Sequence, residues 1–262
     1  QTAPGAAVLP AVIPRNGAGP VIDGVATDVV SIIMADNDFL DAQLTAVAAT
    51  QVTVTPAAFI GAGPARLAEG QLMMISKGSF NTLVQVTSVD VAGRVLRFVG
   101  GDSLNLNQPG AASGSLAALN AQAPVNDPTA TRITRVRLLT YYLDNTTDPL
   151  RPRLVRRINN GHPTAFNNAL GTAVATDVYD LQITYDITNG TNNPSGVQMN
   201  AADMAGGGAC LPDPCAETQI RKVTMRMMAR APNQVSGDTS YLANTLESQV
   251  SLRAMAFVDR YR

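Results

Sequence analysis

Two cysteines, one histidine and a cluster of carboxylates are the residues of this chain whose chemistry is most specific. Cys210 and Cys215 enclose Leu211-Pro212-Asp213-Pro214. A C-x4-C pair is not the redox C-x-x-C motif, and without a second cysteine pair it makes a poor zinc site. A local disulfide formed outside the cytosol is the better reading, stapling a Gly-rich loop. The single histidine, His162, sits in Asn159-Asn160-Gly161-His162-Pro163, a turn sequence with no nucleophile motif nearby. Any Ser-His-Asp triad would have to use it, so a catalytic role is not expected. Asp36, Asn37, Asp38 and Asp41 gather four oxygen-bearing side chains within six residues. Calcium favours such ligands, but the spacing is not that of an EF-hand, and a strand-ending turn with solvated carboxylates is the expectation. Gly61-Ala62-Gly63-Pro64-Ala65-Arg66 begins like a dinucleotide-binding loop and fails at the proline and the third glycine. No Walker sequence or Gly-x-Ser-x-Gly elbow is present, so neither an enzyme nor a cofactor is expected. Asn145-Thr146-Thr147 and Asn189-Gly190-Thr191 match the glycosylation triplet, and both read as turns.

The elements that would position these residues read mostly as strands. Val29 to Met34 is a β-branched run ended by the acidic cluster. Val52 and Val54 alternate with threonines, and Leu72 to Ser76 is a short buried run closed by Lys77-Gly78. Leu83 to Val91, a turn at Ala92-Gly93 and Arg94 to Phe98 read as a hairpin. Ile133 to Leu143 is a long strand, and Arg153 to Ile158 returns. Val174, Val178 and Leu181 fall at helical intervals, which predicts one or two helical turns over 173–181. Leu181, Ile183, Tyr185 and Ile187 then alternate with polar residues, the pattern of a half-buried strand. Two further alternating runs, 222–230 and 249–258, read as the last pair of strands; the propensities of 241–258 also allow a helix, but the period-two alternation favours strand. Residues 189–208 form a polar, Gly-rich loop.

Two hundred and sixty-two residues suffice for one large domain or two small ones. Charged residues are only 15 % of the chain, against about a quarter in an average globular protein. Low charge with many turn residues fits a secreted or surface β-protein. No βαβ alternation appears, which argues against a doubly wound enzyme. The fold class is therefore mainly β or α+β, with antiparallel sheets and little helix. Residues 1–27 carry Pro4, Pro10, Pro14 and Pro20 and read as an extended lead-in along the surface or as a mobile arm. Residues 28–262 form the β-rich body, with a candidate internal boundary in the Gly, Ser and Pro-rich stretch 100–130.

Charge is unevenly spread. Arginine outnumbers lysine seventeen to two, and the net charge is −1, which does not suit a general nucleic-acid binder. The first 131 residues carry nine acids and five bases, whereas the remainder carries eleven acids and fourteen bases. Arg132, Arg135, Arg137, Arg153, Arg156 and Arg157 form one basic strip. Arg221, Lys222, Arg226 and Arg230 form another with no acid among them. Strips of this kind are candidate contacts for an acidic partner surface.

A resemblance gives the second half a context. Arg137-Leu-Leu-Thr-Tyr-Tyr-Leu143 is followed in order by Pro152-Arg-Leu-Val-Arg-Arg157, Val178-Tyr-Asp-Leu-Gln-Ile-Thr-Tyr-Asp186, Ile220-Arg-Lys-Val-Thr-Met-Arg-Met-Met-Ala-Arg230 and Ser248-Gln-Val-Ser-Leu-Arg-Ala-Met-Ala256. This succession resembles the globular part of PilW-type minor pilins of type IV pili, kin of the J-type minor pseudopilins. The resemblance covers about half of the chain well. It implies a pilin-like head and a structural role in initiating, assembling or capping a pilus through contacts with major and minor pilins. It also implies residence in the inner membrane and periplasm before assembly and at the cell surface afterwards. The family's apolar, methylated N-terminal helix has no counterpart in these residues, so a membrane would be reached only through a segment this chain does not contain. The competing expectation is a surface adhesin or ligand-binding module using loops 100–130 and 189–219. A third, an extracellular enzyme, would need paired carboxylates that the sequence does not place.

Overall fold

The structure, a computed structural model, describes residues 10–36, 42–55, 60–61, 66–78, 80–125, 127–159, 171–234 and 241–252. The chain is mainly antiparallel β with little helix, as the alternating runs predict. It divides into two compact units, and the division falls inside three strands: β4 (Val29–Ala35), β11 (Thr131–Asp144) and β12 (Arg153–Ile158). Among the described residues, one unit is built from Ile33–Leu139 with 157–159. The other is built from Pro10–Ile32, Thr140–Arg156 and 171–252.

In the first unit β7 (Leu72–Lys77) lies between β8 (Phe80–Gln85) and β11. Leu72 faces Gln85 on one side and Val136 on the other, and Ile75 faces Ile133. Met73 and Ile75 are fully buried, as is Ile133. Each such side chain contributes roughly 1.5–3 kcal/mol by leaving water. β5 (Ala42–Val47), β6 (Gln51–Val54), β10 (Val95–Arg97) and β9 (Ser88–Asp90) follow side by side in that order as antiparallel pairs. The hairpin expected at Ala92-Gly93 is present, with Asp90 opposite Val95. At its tip the Asp90 carboxylate accepts the Gly93 amide at 2.9 Å, and Arg94 takes the left-handed conformation at φ 57°.

The stretch 100–130 lies inside this unit. Its anchor is Asn107, which is buried. Its Nδ2 donates to the carbonyls of Gln85 (2.7 Å) and Val99 (3.0 Å), and its Oδ1 accepts the Gln85 amide at 2.9 Å. The side chain thus continues the ladder that β8 would otherwise leave open. Helix α1 (Leu116–Asn120) follows, capped by the Ser115 hydroxyl, which accepts the Ala118 amide at 3.1 Å. It buries Leu116 and Leu119 in the unit's core.

In the second unit β1 (Val12–Arg15) pairs with β4, and β2 (Val21–Ile22) with β3 (Val25–Ala26). Val12 and Ile22 are buried in the core. β12 pairs with β13 (Thr172–Thr176), and β14 (Val178–Ile187), β15 (Ile220–Gln234) and β16 (Tyr241–Ser251) form a separate three-stranded sheet. β14 fits its sequence pattern well: Leu181, Ile183, Tyr185 and Ile187 are buried and the residues between them are not. The helical turns expected over 173–181 are absent. Thr172, Val174, Thr176 and Val178 are β-branched alternate residues, and pairing with β12 takes up the backbone bonds a helix would need. Asp177, at φ 60°, breaks the chain between β13 and β14. Within the loop 189–208 a short helix, α2 (Ala201–Met204), is closed by a reciprocal Asn200–Asp203 cap. Val197 and Met199 from the same loop are buried in the core.

Candidate subunit-contact face

The ten basic side chains singled out in the sequence meet different fates. Arg135 is buried rather than surface-facing, with its side chain 2 % exposed. Its Nε lies 2.7 Å from Asp36 Oδ2, and Arg137 Nε reaches the same oxygen at 2.8 Å. Arg135 also donates from Nη1 to the Arg66 carbonyl at 3.0 Å. Arg135 therefore cannot serve an external contact: alternation places it on the inner side of β11, and the buried charge is met by Asp36. The same observation corrects the reading of Asp36 as a solvated turn carboxylate, since it is buried between two guanidinium groups. Asn37, Asp38 and Asp41 lie outside the described residues, as does His162.

Arg153 bridges Asp144 (2.9 Å) and donates to the Thr147 hydroxyl at 2.7 Å. Burial pushes the Asp144 carboxyl up, but hydrogen bonds from Thr146, Thr147 and Arg153 outweigh it and hold the group well below the usual carboxylate range. Lys222 pairs with Asp186 at 2.7 Å, and that contact overcomes the effect of burial to lower the Asp186 pKa. Arg230 lies 3.4 Å from the Tyr179 ring centre and 4.5 Å from that of Tyr241, and its Nη1 reaches Asp23 at 2.7 Å. An arginine stacked between two tyrosines fastens β14, β15 and β16 to the β2–β3 turn. Arg157 is half-buried. Arg132, Arg156, Arg221 and Arg226 are exposed, with no ion pair among the described residues. Arg132 borders an open groove of about 370 Å³ with Gln43, Pro128, Thr129 and Thr131. Of the ten, Arg156, Arg221 and Arg226 are thus the ones in the second unit available to a partner.

The disulfide is present: the Cys210 and Cys215 sulfurs are 2.01 Å apart and both residues are buried. The Cys210 amide donates to the Gly207 carbonyl and the Cys215 amide to the Asp203 carbonyl, so the bridge secures its loop to α2. Gly208 stands at φ 57°, and a Cβ there would meet the Asp203 carboxylate at 2.6 Å. The bridge and α2 together hold loop 189–219 against the core.

One surface escaped the charge-based reading. Every residue of β16 is exposed. Leu242, Leu246 and Val250, at 72, 59 and 57 % exposure, share a face with Met227 and Val223 of β15, which they oppose or adjoin in register. The sheet's inner, apolar face therefore runs on beyond the core that covers β14. The recurrence of Leu242, Leu246 and Val250 at every fourth position, on one face of a strand, was the available signal; nothing in sequence told which side of a strand the core would fail to cover.

Among the described residues no group of three or more His, Cys, Asp or Glu side chains could hold a metal ion. No helix among them is long and apolar enough to cross a membrane. Compared with known protein families, curated proteins and solved structures, the chain matches none.

Proposed function

We propose that this chain is the β-rich head of a minor pilin, a structural subunit that takes part in initiating, assembling or capping a type IV pilus or related filament. The observation that carries the reading is the order of five segments. Those that resemble PilW-type proteins, ending at 143, 157, 186, 230 and 256, fall on β11, β12, β14, β15 and, for the described residues 248–251 of the last, β16 in turn. The last three are consecutive neighbours in one sheet. A family likeness spread over adjacent strands fits a shared scaffold better than scattered coincidences would. The side chains on this scaffold suit contact: the exposed arginines Arg156, Arg221 and Arg226 offer positive charge that steers an acidic partner.

The test is capture of the co-encoded pilin-like heads by this chain at low and at moderate salt. Saturable binding that weakens with salt and with the triple replacement Arg156→Ala, Arg221→Ala and Arg226→Ala is expected. Deletion of the gene should reduce pilus number or alter tip composition. Unchanged pili together with saturable binding to a glycan would count against the assembly role and in favour of an adhesin.

A further inference from the structure

The two outer strands of the β14–β15–β16 sheet are finished differently. The free side of β14 is sealed. Tyr185 exchanges backbone bonds with Val197 at 2.8 and 2.9 Å, Ile187 donates to the Pro194 carbonyl at 2.8 Å, and the Asp28 amide donates to the Leu181 carbonyl at 2.9 Å. β16 pairs only with β15 among the described residues. Its outward N–H and C=O groups form a row eleven residues long. Edges meant to stay single are usually short, bulged, or guarded by lysine or proline. This strand, Tyr241 to Ser251, has no Lys, Arg or Pro, and Glu247 is its one charge.

We infer that β16 pairs edge to edge with β16 of a second copy, antiparallel, about a two-fold axis at Leu246. The partner is fixed by self-complementarity. To keep inner residues on the inner face, each residue must face one of the same parity. With the axis at Leu246, that leucine faces its own counterpart, Leu242 faces Val250, Asn244 faces Ser248, and Glu247 faces Thr245. All of β16 pairs, and Leu242, Leu246 and Val250 each meet an apolar residue of the partner strand. Moving the axis to Glu247 opposes two carboxylates directly, which is destabilising. Moving it to Thr245 sets Leu246 against Asn244 and Leu242 against Ser248, which opposes apolar to polar side chains. The register about Leu246 alone pairs all eleven residues of the strand while opposing apolar residues and separating the two carboxylates, and a two-fold contact closes on itself rather than propagating a fibre.

Size sets the strength. At roughly 3.4 Å per residue the edge is about 37 Å long and offers on the order of ten backbone hydrogen bonds. Such a contact buries about 1,000 Å² in total, the lower end for a specific interface, so the dimer is weak and reversible. The inference goes beyond the pilin reading and does not depend on it, because it concerns the purified chain alone.

Sedimentation velocity over a wide micromolar range tests it. Wild type is expected to pass from monomer to dimer. Leu246→Lys, which puts two ammonium groups face to face at the axis, is expected to remain monomeric with an unchanged circular dichroism spectrum. Cysteine cross-linking fixes the register independently. Under mild oxidation Leu246→Cys is expected to give a covalent dimer by itself. Leu242→Cys is expected to do so only when mixed with Val250→Cys, since directly opposed residues lie within disulfide reach. A wild-type chain that stays monomeric overturns the inference. So does a dimer indifferent to Leu246→Lys, or Leu242→Cys linking to itself as fast as Leu246→Cys. Should Leu246→Lys misfold, the cysteine pairs decide. Failure of the pilus assays leaves all of these readings untouched.

Discussion

Asp28 and Asp36 stand at the two ends of β4, one just before the strand and one just after it, and both are buried. Their charges are met in different ways. Asp28 is held by peptide: its two oxygens accept the amides of Gly17 and Ile183, each at 2.7 Å. Asp36 is held by cations, with Arg135 at 2.7 Å and Arg137 at 2.8 Å on one oxygen. Amide groups supply direction and partial charge but no neutralising unit charge. Burial therefore prevails at Asp28 and raises its pKa. The two amides pull it down, and the nearby Asp180 carboxylate adds to the rise. The comparison separates two jobs a buried carboxylate can do. Asp28 organises backbone, tying the turn after β1 to the middle of β14. Asp36 serves as counter-ion to an arginine that the inner face of β11 has enclosed.

The largest effect should come from removing that counter-ion. Asp36→Ala leaves the Arg135 guanidinium buried beside an empty site and is expected to cost about 3–5 kcal/mol of unfolding free energy. Urea titration is the measurement, since guanidinium chloride would screen the charges being compared. The double replacement Asp36→Leu with Arg135→Met should recover most of the loss, because a buried pair replaced by apolar groups of similar size is often neutral. If Asp36→Ala cost no more than an exposed substitution, Arg135 would have a second buried partner and the contrast with Asp28 would collapse.

Much of the β framework was readable in sequence, and particular residues show why the remainder was not. β14 declared itself because one face meets the core and the other does not, so burial and alternation coincide at Leu181, Ile183, Tyr185 and Ile187. The β9–β10 hairpin was legible from its Ala92-Gly93 turn and the Cys210–Cys215 bridge from its close spacing, whereas the strand expected over 249–258 meets β16 only at 249–251, its residues from 253 on lying outside those described. β13 was not, because all of its residues are exposed and only pairing with β12 makes it a strand. The fold of 100–130 rests on one asparagine reaching Gln85, a contact with no periodic signature. Asp36 and Arg135 lie about a hundred positions apart in sequence, so a local charge count assigned one to a solvated turn and the other to a surface strip.

An intermediate effect is expected at the other end of β4. Asp28→Ala strands the Gly17 and Ile183 amides and should cost about 1–3 kcal/mol, less than Asp36→Ala. Its pH dependence carries a sign that sharpens the comparison. Because the folded-state pKa of Asp28 is raised, the folded chain holds this proton more tightly than the unfolded chain does. The contribution of Asp28 to stability is therefore greatest in acid. It falls as pH climbs from the ordinary carboxylate value through the raised one, and is level above it. Urea midpoints of wild type and Asp28→Asn, taken from about pH 3.5 to 7, should diverge in favour of wild type toward the acid end. A difference that instead grows with pH would mean that the amides, not burial, dominate the group.

The smallest effect belongs to a pair with neither kind of burial. Arg151 and Asp177 meet as a parallel fork, Nε to Oδ1 and Nη2 to Oδ2, both at 2.9 Å, with the arginine side chain about half exposed. The geometry is good, and the Arg151 hydrogen bonds hold the Asp177 carboxyl below its usual range. Water and salt nevertheless compete for both groups, and two side chains must be ordered to keep the fork. Asp177→Asn should therefore move the urea midpoint far less than either β4 aspartate, and that small shift should vanish in high salt, where the loss at Asp36 persists. The sign with pH is opposite to that of Asp28. A lowered folded-state pKa gives stability present above the ordinary carboxylate value and lost as pH falls through the lower one. Asp177 also occupies φ 60°, which asparagine tolerates as well as aspartate does, so Asp177→Asn isolates the charge from the turn. A loss at Asp177 as large as that at Asp36, and equally resistant to salt, would show that fork geometry rather than burial sets the worth of these ion pairs.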